Sequence, residues 1–475
     1  MSSTSRPDPI ARHARVRPSA PALVGPSETW TYAALDASLT RLGGRLRALG
    51  VAAGDRVGVH CAPTTDTVRL LWALWRNGAV AVPLSLRLPA GEVGPTAARV
   101  GCTALVTEDA EAAEAAPGSM AVHAAEALRH TTPEGPARAA RPPDRPATIV
   151  YTSGSTGTPK AALHTWANHF YSAKGANANM PLRPGDRWLL SLPLYHVGGL
   201  AVLVRCALAG AAVVVPAPSA PLHEALRRSA ATYVSLVATQ FGRLLDATTG
   251  APPPSLRGVL LGGGPIPRPL LRRGDARGWP LHTSYGCTEM ASQVTTTAPG
   301  ARPASLATAG RRLPHRRLRI RDGEIQVAGP PLFQGYVTED GLHTPQTDDG
   351  WYATGDRGRI DASGRLHVLG RVDRMFVSGG ENIQPEEIET ALERLDGVER
   401  AVVVPVPDPE YGARPVAFVE GDAAGSPAAL RAALERRLPG FKIPDAFHSL
   451  PASSAAGSLK IDREELRRRA RDLRR

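Results

Sequence analysis

One stretch constrains this chain more than any other: Ile149-Val150-Tyr151-Thr152-Ser153-Gly154-Ser155-Thr156-Gly157-Thr158-Pro159-Lys160. Three β-favouring residues lead into a loop of hydroxyls and glycines that ends at a lysine, and a helix-compatible stretch follows. Glycines let backbone N–H groups converge on one point without Cβ clashes. Ser153, Ser155, Thr156 and Thr158 add side-chain donors, and Lys160 adds a positive charge. That combination suits polyphosphate. It is not a Walker A loop, because Lys160 follows Pro159 and precedes Ala161 rather than a hydroxyl. A polar surface turn is the competing reading of any Gly/Ser/Thr/Pro cluster; the strand before it and the lysine after it favour phosphate.

The rest of the chain supplies what such a loop needs around it. Its 475 residues allow two to four domains, and 43% hydrophobic content excludes wholesale disorder. The net charge of +12 fits an anionic substrate better than nucleic acid, since the arginines are dispersed without aromatic interleaving. Cys61, Cys102, Cys206 and Cys287 form no Cys-x-x-Cys pair, which fits a reduced, cytoplasmic setting. Residues 1–18 are polar and basic, unlike a signal peptide. Residues 197–215 are apolar but carry Arg205 at their centre, at a cost of roughly 2.5–3.5 kcal/mol in a bilayer. The expectation there is a helix over 200–208, a strand over 211–215 and no membrane span.

Leu35, Leu39, Leu42, Leu46 and Leu49 recur at helical spacing after a short strand at 29–32. A strand over 56–59, a helix over 67–77 and a strand over 79–82 follow. A weak helix is expected over 120–129, then a loose connector over 130–145. The βα alternation resumes to about residue 297, with helices over 166–176, 222–229 and 239–247 and strands over 188–192, 233–236 and 258–261. Such alternation implies parallel sheets covered on both faces. From about 300 to 370, short strands separated by Asp-Gly and Ser-Gly turns suggest a small antiparallel barrel. A compact α+β unit follows, ending in a basic helix over 464–475 read as a solvated end. The expected fold class is thus α/β. A large N-terminal domain, 1–370, holds two parallel βα sheets and the barrel; a smaller C-terminal domain, 371–475, is α+β.

Four further clusters carry chemistry. Thr283-Ser284-Tyr285-Gly286-Cys287-Thr288-Glu289 places an aromatic, a glycine, a hydroxyl and a carboxylate together. Tyr285 suits base stacking, Gly286 close approach, Thr288 a phosphate and Glu289 Mg²⁺. Thr354-Gly355-Asp356 offers a carboxylate for ribose hydroxyls, with an Asp-containing turn as the alternative. Leu459-Lys460-Ile461-Asp462-Arg463 sets one lysine between apolar residues. Pro193-Leu194-Tyr195-His196-Val197-Gly198-Gly199 puts a histidine in an apolar turn. No Gly-x-Ser-x-Gly nucleophile elbow occurs.

Together these resemble the motifs of the adenylate-forming superfamily, which includes acyl- and aryl-CoA synthetases, luciferases and adenylation domains. They cover nearly the whole chain in that family's order. The resemblance implies two steps: a carboxylate attacks the α-phosphate of ATP to give an acyl-adenylate, and CoA thiol then displaces AMP. By the same resemblance Thr152, Ser153, Gly154, Ser155, Thr156, Gly157 and Lys160 hold the phosphates of ATP. Gly263, Gly264, Ser284, Tyr285, Gly286 and Thr288 contact the nucleotide, and Glu289 holds the metal. Asp356 and Arg371 contact the ribose, Asp373 is the hinge of a mobile lid, and Gly380 lines the thiol tunnel. Lys460 is the catalytic lysine, although Gly457-Ser458-Leu459-Lys460 inserts two residues after the glycine that usually precedes it. His196 walls the acyl pocket, and Thr156 and Glu289 share the catalytic work.

Residues 235–245, 260–267 and 288–293 resemble o-succinylbenzoate–CoA ligases of menaquinone biosynthesis. Another aryl- or acyl-CoA ligase, or an enzyme loading a carrier protein, is the alternative. The second carboxylate of o-succinylbenzoate requires a polar or cationic anchor in the pocket. Arg205, Gln240 and Ser292 are the candidates, beside Gly262. The expected partners are a small carboxylic acid, ATP and CoA, without nucleic acid; a homodimer is left open.

Overall fold

The computed structural model describes residues 6–128, 140–141, 144–152, 159–451 and 462–473. Two large sheets organise the first two thirds of the chain. The first has eight strands, in the spatial order Gly341–His343, Gly335–Thr338, Lys160–Thr165, Pro146–Thr152, Val80–Pro83, Arg56–His60, Ala104–Thr107 and Ala121–Ala124. From Pro146–Thr152 onward the neighbours are parallel; the other pairings are antiparallel. Val80–Pro83 and Ala104–Thr107 are buried at every position, as parallel strands covered on both faces must be.

The second sheet has nine strands, in the order Arg311–Arg312, Ser292–Thr296, Leu281–Cys287, Gly258–Leu261, Tyr233–Leu236, Arg187–Leu189, Ala212–Val214, Pro21–Val24 and Thr29–Thr31. Its central strands are parallel. One core cluster joins the helices Tyr32–Ala48 and Thr65–Asn77 to both sheets, through Leu35, Leu39 and Trp75 on one side and Val150 and Val213 on the other. The leucine spacing of the first helix therefore faces this core. The second helix stops at Gly78, whose φ of 80° is the left-handed cap that glycine adopts without strain. The apolar stretch 197–215 is a helix, Val197–Ala209, closed by Gly210 and followed by the strand Ala212–Val214. Among the described residues no helix is long and apolar enough to cross a membrane.

Four antiparallel strands, Arg317–Arg321, Glu324–Ala328, Tyr352–Ile360 and Leu366–Arg371, form a third sheet in chain order. Asp322 and Gly323 both have positive φ, 53° and 78°, the two-residue hairpin geometry that an Asp-Gly pair favours. The strands Gly335–Thr338 and Gly341–His343 leave this unit and extend the edge of the eight-stranded sheet. Beyond Arg371 lie a small hairpin, Phe376–Ser378 with Glu381–Ile383, and a three-stranded sheet of Arg400–Asp408, Gly412–Glu420 and Ala446–Ser449. The helices Pro385–Leu392, Pro427–Glu435 and Arg463–Leu473 accompany it.

Three sequence expectations give way. The stretch after Lys160 is a strand, not a helix: Ala161, Ala162 and Leu163 pair on both edges, and helix begins only at Trp166. Residues 121–124 are a strand, because pairing beside Ala104–Thr107 outweighs their helical propensity; most of the connector expected at 130–145 falls outside the described residues. The final helix is docked rather than solvated. Leu466 and Ala470 are buried, and Arg463 holds Glu389 through two hydrogen bonds of 2.7 and 3.0 Å.

Candidate active site

The hydroxyl-rich loop joins two antiparallel strands of the first sheet. Thr152 ends one, Lys160 begins the other, and the two are paired partners. The loop therefore connects two paired antiparallel strands, and the chain continues from Lys160 as a strand. Ser153, Gly154, Ser155, Thr156 and Gly157 lie outside the described residues, as does Lys460. Lys160 is exposed, and its Nζ sits 5.4 Å from the centroid of the Tyr336 ring.

The second cluster straddles the end of a strand. Ser284, Tyr285, Gly286 and Cys287 finish Leu281–Cys287, and Thr288 and Glu289 make the short helical turn that follows. Gly286 answers to packing: a Cβ there would lie 2.1 Å from the Ser292 carbonyl oxygen of the neighbouring strand. Ser292 itself is half-buried and backbone-strained, with φ of 133°. Ser284 Oγ donates to the Leu261 carbonyl at 3.0 Å, and a Cβ on Gly262 would meet that Oγ at 2.7 Å. This packing brings the exposed Gly263-Gly264 loop alongside the cluster, with Gly263 at φ 81°.

Glu289 is buried, and Tyr336 Oη donates to its Oε1 at 2.6 Å. No basic side chain among the described residues forms an ion pair with it. A buried carboxylate without such a partner calls for a cation, so the residue fits a metal ligand. The Thr288 carbonyl accepts from His164 Nε2 at 2.7 Å. Burial pushes the His164 imidazole down to about 4, so it remains neutral and presents Nε2–H to that carbonyl.

The third cluster lies inside a strand rather than at a turn. Asp356 belongs to Tyr352–Ile360 and pairs across the ladder with Arg371. Tyr285 Oη donates to Asp356 Oδ2 at 2.7 Å, and Arg371 Nη1 lies 3.4 Å from Oδ1. Burial pushes the Asp356 carboxyl above its ordinary value, and the Tyr285 and Arg371 contacts oppose that. Arg371 also donates to both oxygens of Asp373, at 3.0 and 2.9 Å, which strengthens its hold on its proton. The nucleotide motif, the ribose pair and the hinge candidate are thus linked through hydrogen-bonded side chains. Gly380 lies apart from them, at the exposed tip of the hairpin that follows Asp373, with φ 87° and open space where a Cβ would stand.

His196 is exposed at the N-terminus of the helix Val197–Ala209, its ring 4.7 Å from that of Tyr195. The same helix carries Arg205 inward. Arg205 is fully buried, lies 5.1 Å from the Trp188 ring centroid and donates to Gln293 Oε1. Gln293 pairs with Gly286, so this guanidinium is fastened to the strand beside the second cluster. Its Nε has no hydrogen-bond partner among the described residues, and burial pushes its pKa down to about 10, still cationic at neutral pH. Gln240 is occupied otherwise: its Nε2 donates to the Ser191 carbonyl at 2.9 Å, and its Oε1 accepts from Val237 N–H at 3.1 Å. Tyr336, Tyr352 and His164 escaped the sequence reading, and Gln293 enters it only within the stretch 288–293. No local pattern marks the distant partner of any of them.

Comparison with known proteins places this geometry. The AMP-binding enzyme model matches residues 10–337, and the AMP-binding enzyme C-terminal domain model matches residues 387–460. The 2-succinylbenzoate–CoA ligase of Salmonella typhimurium is 36% identical, over 96% of this chain and 96% of that protein. The o-succinylbenzoate coenzyme A synthetase of Bacillus subtilis in complex with the acyl-adenylate intermediate OSB-AMP superposes with a TM-score of 0.84 at 31% identity, covering 98% of each chain. The same Bacillus enzyme in complex with ATP and magnesium ion gives 0.84 at 32%, over 94% of this chain and 96% of that one. A two-domain match over most of the length, with relatives above 30% identity covering nearly all of both chains, leads to one conclusion: the chain belongs to the AMP-binding enzyme family.

Proposed function

We propose that this chain is an ATP-dependent acid–CoA ligase that works through an acyl-adenylate and takes o-succinylbenzoate as its acid. The observation that carries the choice of acid is Arg205. It is a buried guanidinium whose side-chain partner is a neutral amide, and no described carboxylate pairs with it. A cation held out of water in this way favours an anion beside it. One carboxylate of o-succinylbenzoate reacts; the other remains ionised and supplies that anion. The names and bound molecules of the relatives point to the same acid. Gln240 has its amide engaged, which leaves Arg205 the better anchor; Ser292, Gly262 and His196 are assigned to the walls of the same pocket.

In the first step a carboxylate oxygen of the acid attacks the α-phosphorus of ATP, and the bond to pyrophosphate breaks. An anion approaches a polyanion, so positive charge must meet the developing oxygens. Thr152, the loop residues 153–157 with Thr156 among them, Thr288 and Lys160 hold the phosphates, and Lys460 closes on them. Glu289 would hold Mg²⁺, which would supply further positive charge to the phosphates. Asp356 and Arg371 hold the ribose, and Tyr285, Gly263, Gly264, Ser284 and Gly286 shape the nucleotide cleft.

In the second step the CoA sulfur attacks the acyl carbon and the AMP oxygen leaves. Rotation of the C-terminal domain, 371–475, about Asp373 against residues 1–370 exchanges Lys460 for the hairpin bearing Gly380. The Arg371–Asp373 ion pair joins the ribose contact to that pivot.

The test is pyrophosphate release from ATP with o-succinylbenzoate, with and without CoA. Release with the acid, and a CoA thioester once CoA is added, is the expected result. Thioester formation only with other acids would overturn the choice of acid. Release with no thioester on free CoA would point to a carrier protein as acceptor.

A further inference from the structure

Glu289 is held at two points, by the strand Gly335–Thr338 and by the segment just before it. The Phe333 backbone N–H donates to the Glu289 carbonyl at 2.8 Å, and Tyr336 Oη donates to its carboxylate at 2.6 Å. Tyr336 and Tyr352 have their phenol oxygens 2.9 Å apart. Tyr336 has one proton and gives it to Glu289, so Tyr352 is the donor in that second bond. Tyr336 stands opposite Ala162 on the strand that begins at Lys160, and its ring lies under the Lys160 ammonium. One aromatic side chain therefore touches both the lysine that closes the phosphate loop and the carboxylate of the second cluster.

We propose that Tyr336 is a positioning residue for magnesium–nucleotide binding: its phenol, backed by Tyr352, fixes one oxygen of Glu289 and thereby aims the carboxylate at the cation. This rests on Glu289 as the metal ligand. A buried carboxylate free to rotate would lose part of its binding energy in ordering. A charge-assisted hydrogen bond made beforehand removes that loss.

The test is ATP binding by titration calorimetry on the full-length protein, with and without Mg²⁺. Tyr336→Phe keeps the ring, and with it the packing against Phe333 and Lys160. It should shrink the Mg²⁺-dependent gain in ATP affinity roughly tenfold and leave metal-free ATP affinity unchanged. Glu289→Gln should abolish the gain, and adding Tyr336→Phe to it should change nothing more. Tyr352→Phe should give a smaller loss of the same sign, and this variant reads the proposal should Tyr336→Phe fail to fold. A wild-type gain in Tyr336→Phe, a loss equally large without Mg²⁺, or an additional loss on top of Glu289→Gln would each overturn it; so would a wild-type gain in Tyr352→Phe if that variant stands alone. None of these readings needs the acid. A protein that binds Mg²⁺ and ATP in this way yet releases no pyrophosphate with o-succinylbenzoate would overturn the ligase assignment alone.

Discussion

Tyr285 Oη donates to Asp356 Oδ2 at 2.7 Å, although the two residues are 71 positions apart. The bond joins the end of the strand Leu281–Cys287 to the middle of Tyr352–Ile360, so two motifs separated in sequence become one polar unit. Tyr285→Phe removes the hydroxyl and leaves a buried carboxylate short of a donor, worth about 1–3 kcal/mol. The KM for ATP should rise severalfold while the KM for the acid holds. Steady-state kinetics at fixed Mg²⁺ reads both, and equal changes in the two would argue against a nucleotide contact.

Arg205→Met removes the buried cation and keeps much of its apolar bulk. The KM for o-succinylbenzoate should rise by roughly 30-fold or more, the lower end for losing one partner of a buried charge pair. The melting temperature should fall only modestly, because the buried Gln293 Oε1 loses a donor while no described carboxylate is left stranded. A monocarboxylic aromatic acid serves as the control. If its KM rose equally, Arg205 would be acting through packing alone.

Lys460→Ala should lower the adenylation rate by roughly 10²–10³-fold, the scale for losing one transition-state charge contact. Thioester formation from supplied acyl-adenylate should survive. Single-turnover assays of each half-reaction separate the two, and equal losses would remove the lysine's proposed role.

Glu393 yields a pH prediction. Its carboxylate accepts backbone N–H groups from Arg268 in the N-terminal part and Ala401 in the C-terminal part. Burial first, then the nearby Glu389, pushes its pKa from 4.5 up to about 7. The folded form therefore favours the protonated acid more than the unfolded chain does. That contribution to stability is full below about pH 4.5 and is lost as pH rises through about 7. The melting temperature should fall between pH 5 and 8, and Glu393→Gln should flatten that slope. An identical slope in the variant would assign the pH dependence to other groups.

The βα alternation up to residue 297 was legible because buried parallel strands are short apolar runs and the helices between them carry periodic leucines. Gly78 and the Asp322-Gly323 pair marked their turns for reasons of backbone conformation alone. What misled was pairing. Residues 121–124 and 161–163 are alanine-rich runs that read as helix, yet the first pairs along Ala104–Thr107 and the second is paired on both sides. Arg463 shows the same limit: its sequence context reads as a charged helix start, while its partner Glu389 is 74 residues away.

By itself the sequence determined which residue types stand ready for chemistry: the hydroxyl-and-glycine loop, Glu289, Asp356, Arg371 and the lone Lys460. These follow from local composition and order, which need no knowledge of distant neighbours. Only the tertiary structure decided which groups meet. It set Tyr336 and Tyr352 on Glu289, His164 on the Thr288 carbonyl, and Arg205 in a buried site against Gln293. Hydrogen bonds act over about 3 Å, and strand order, not sequence spacing, decides which side chains come that close.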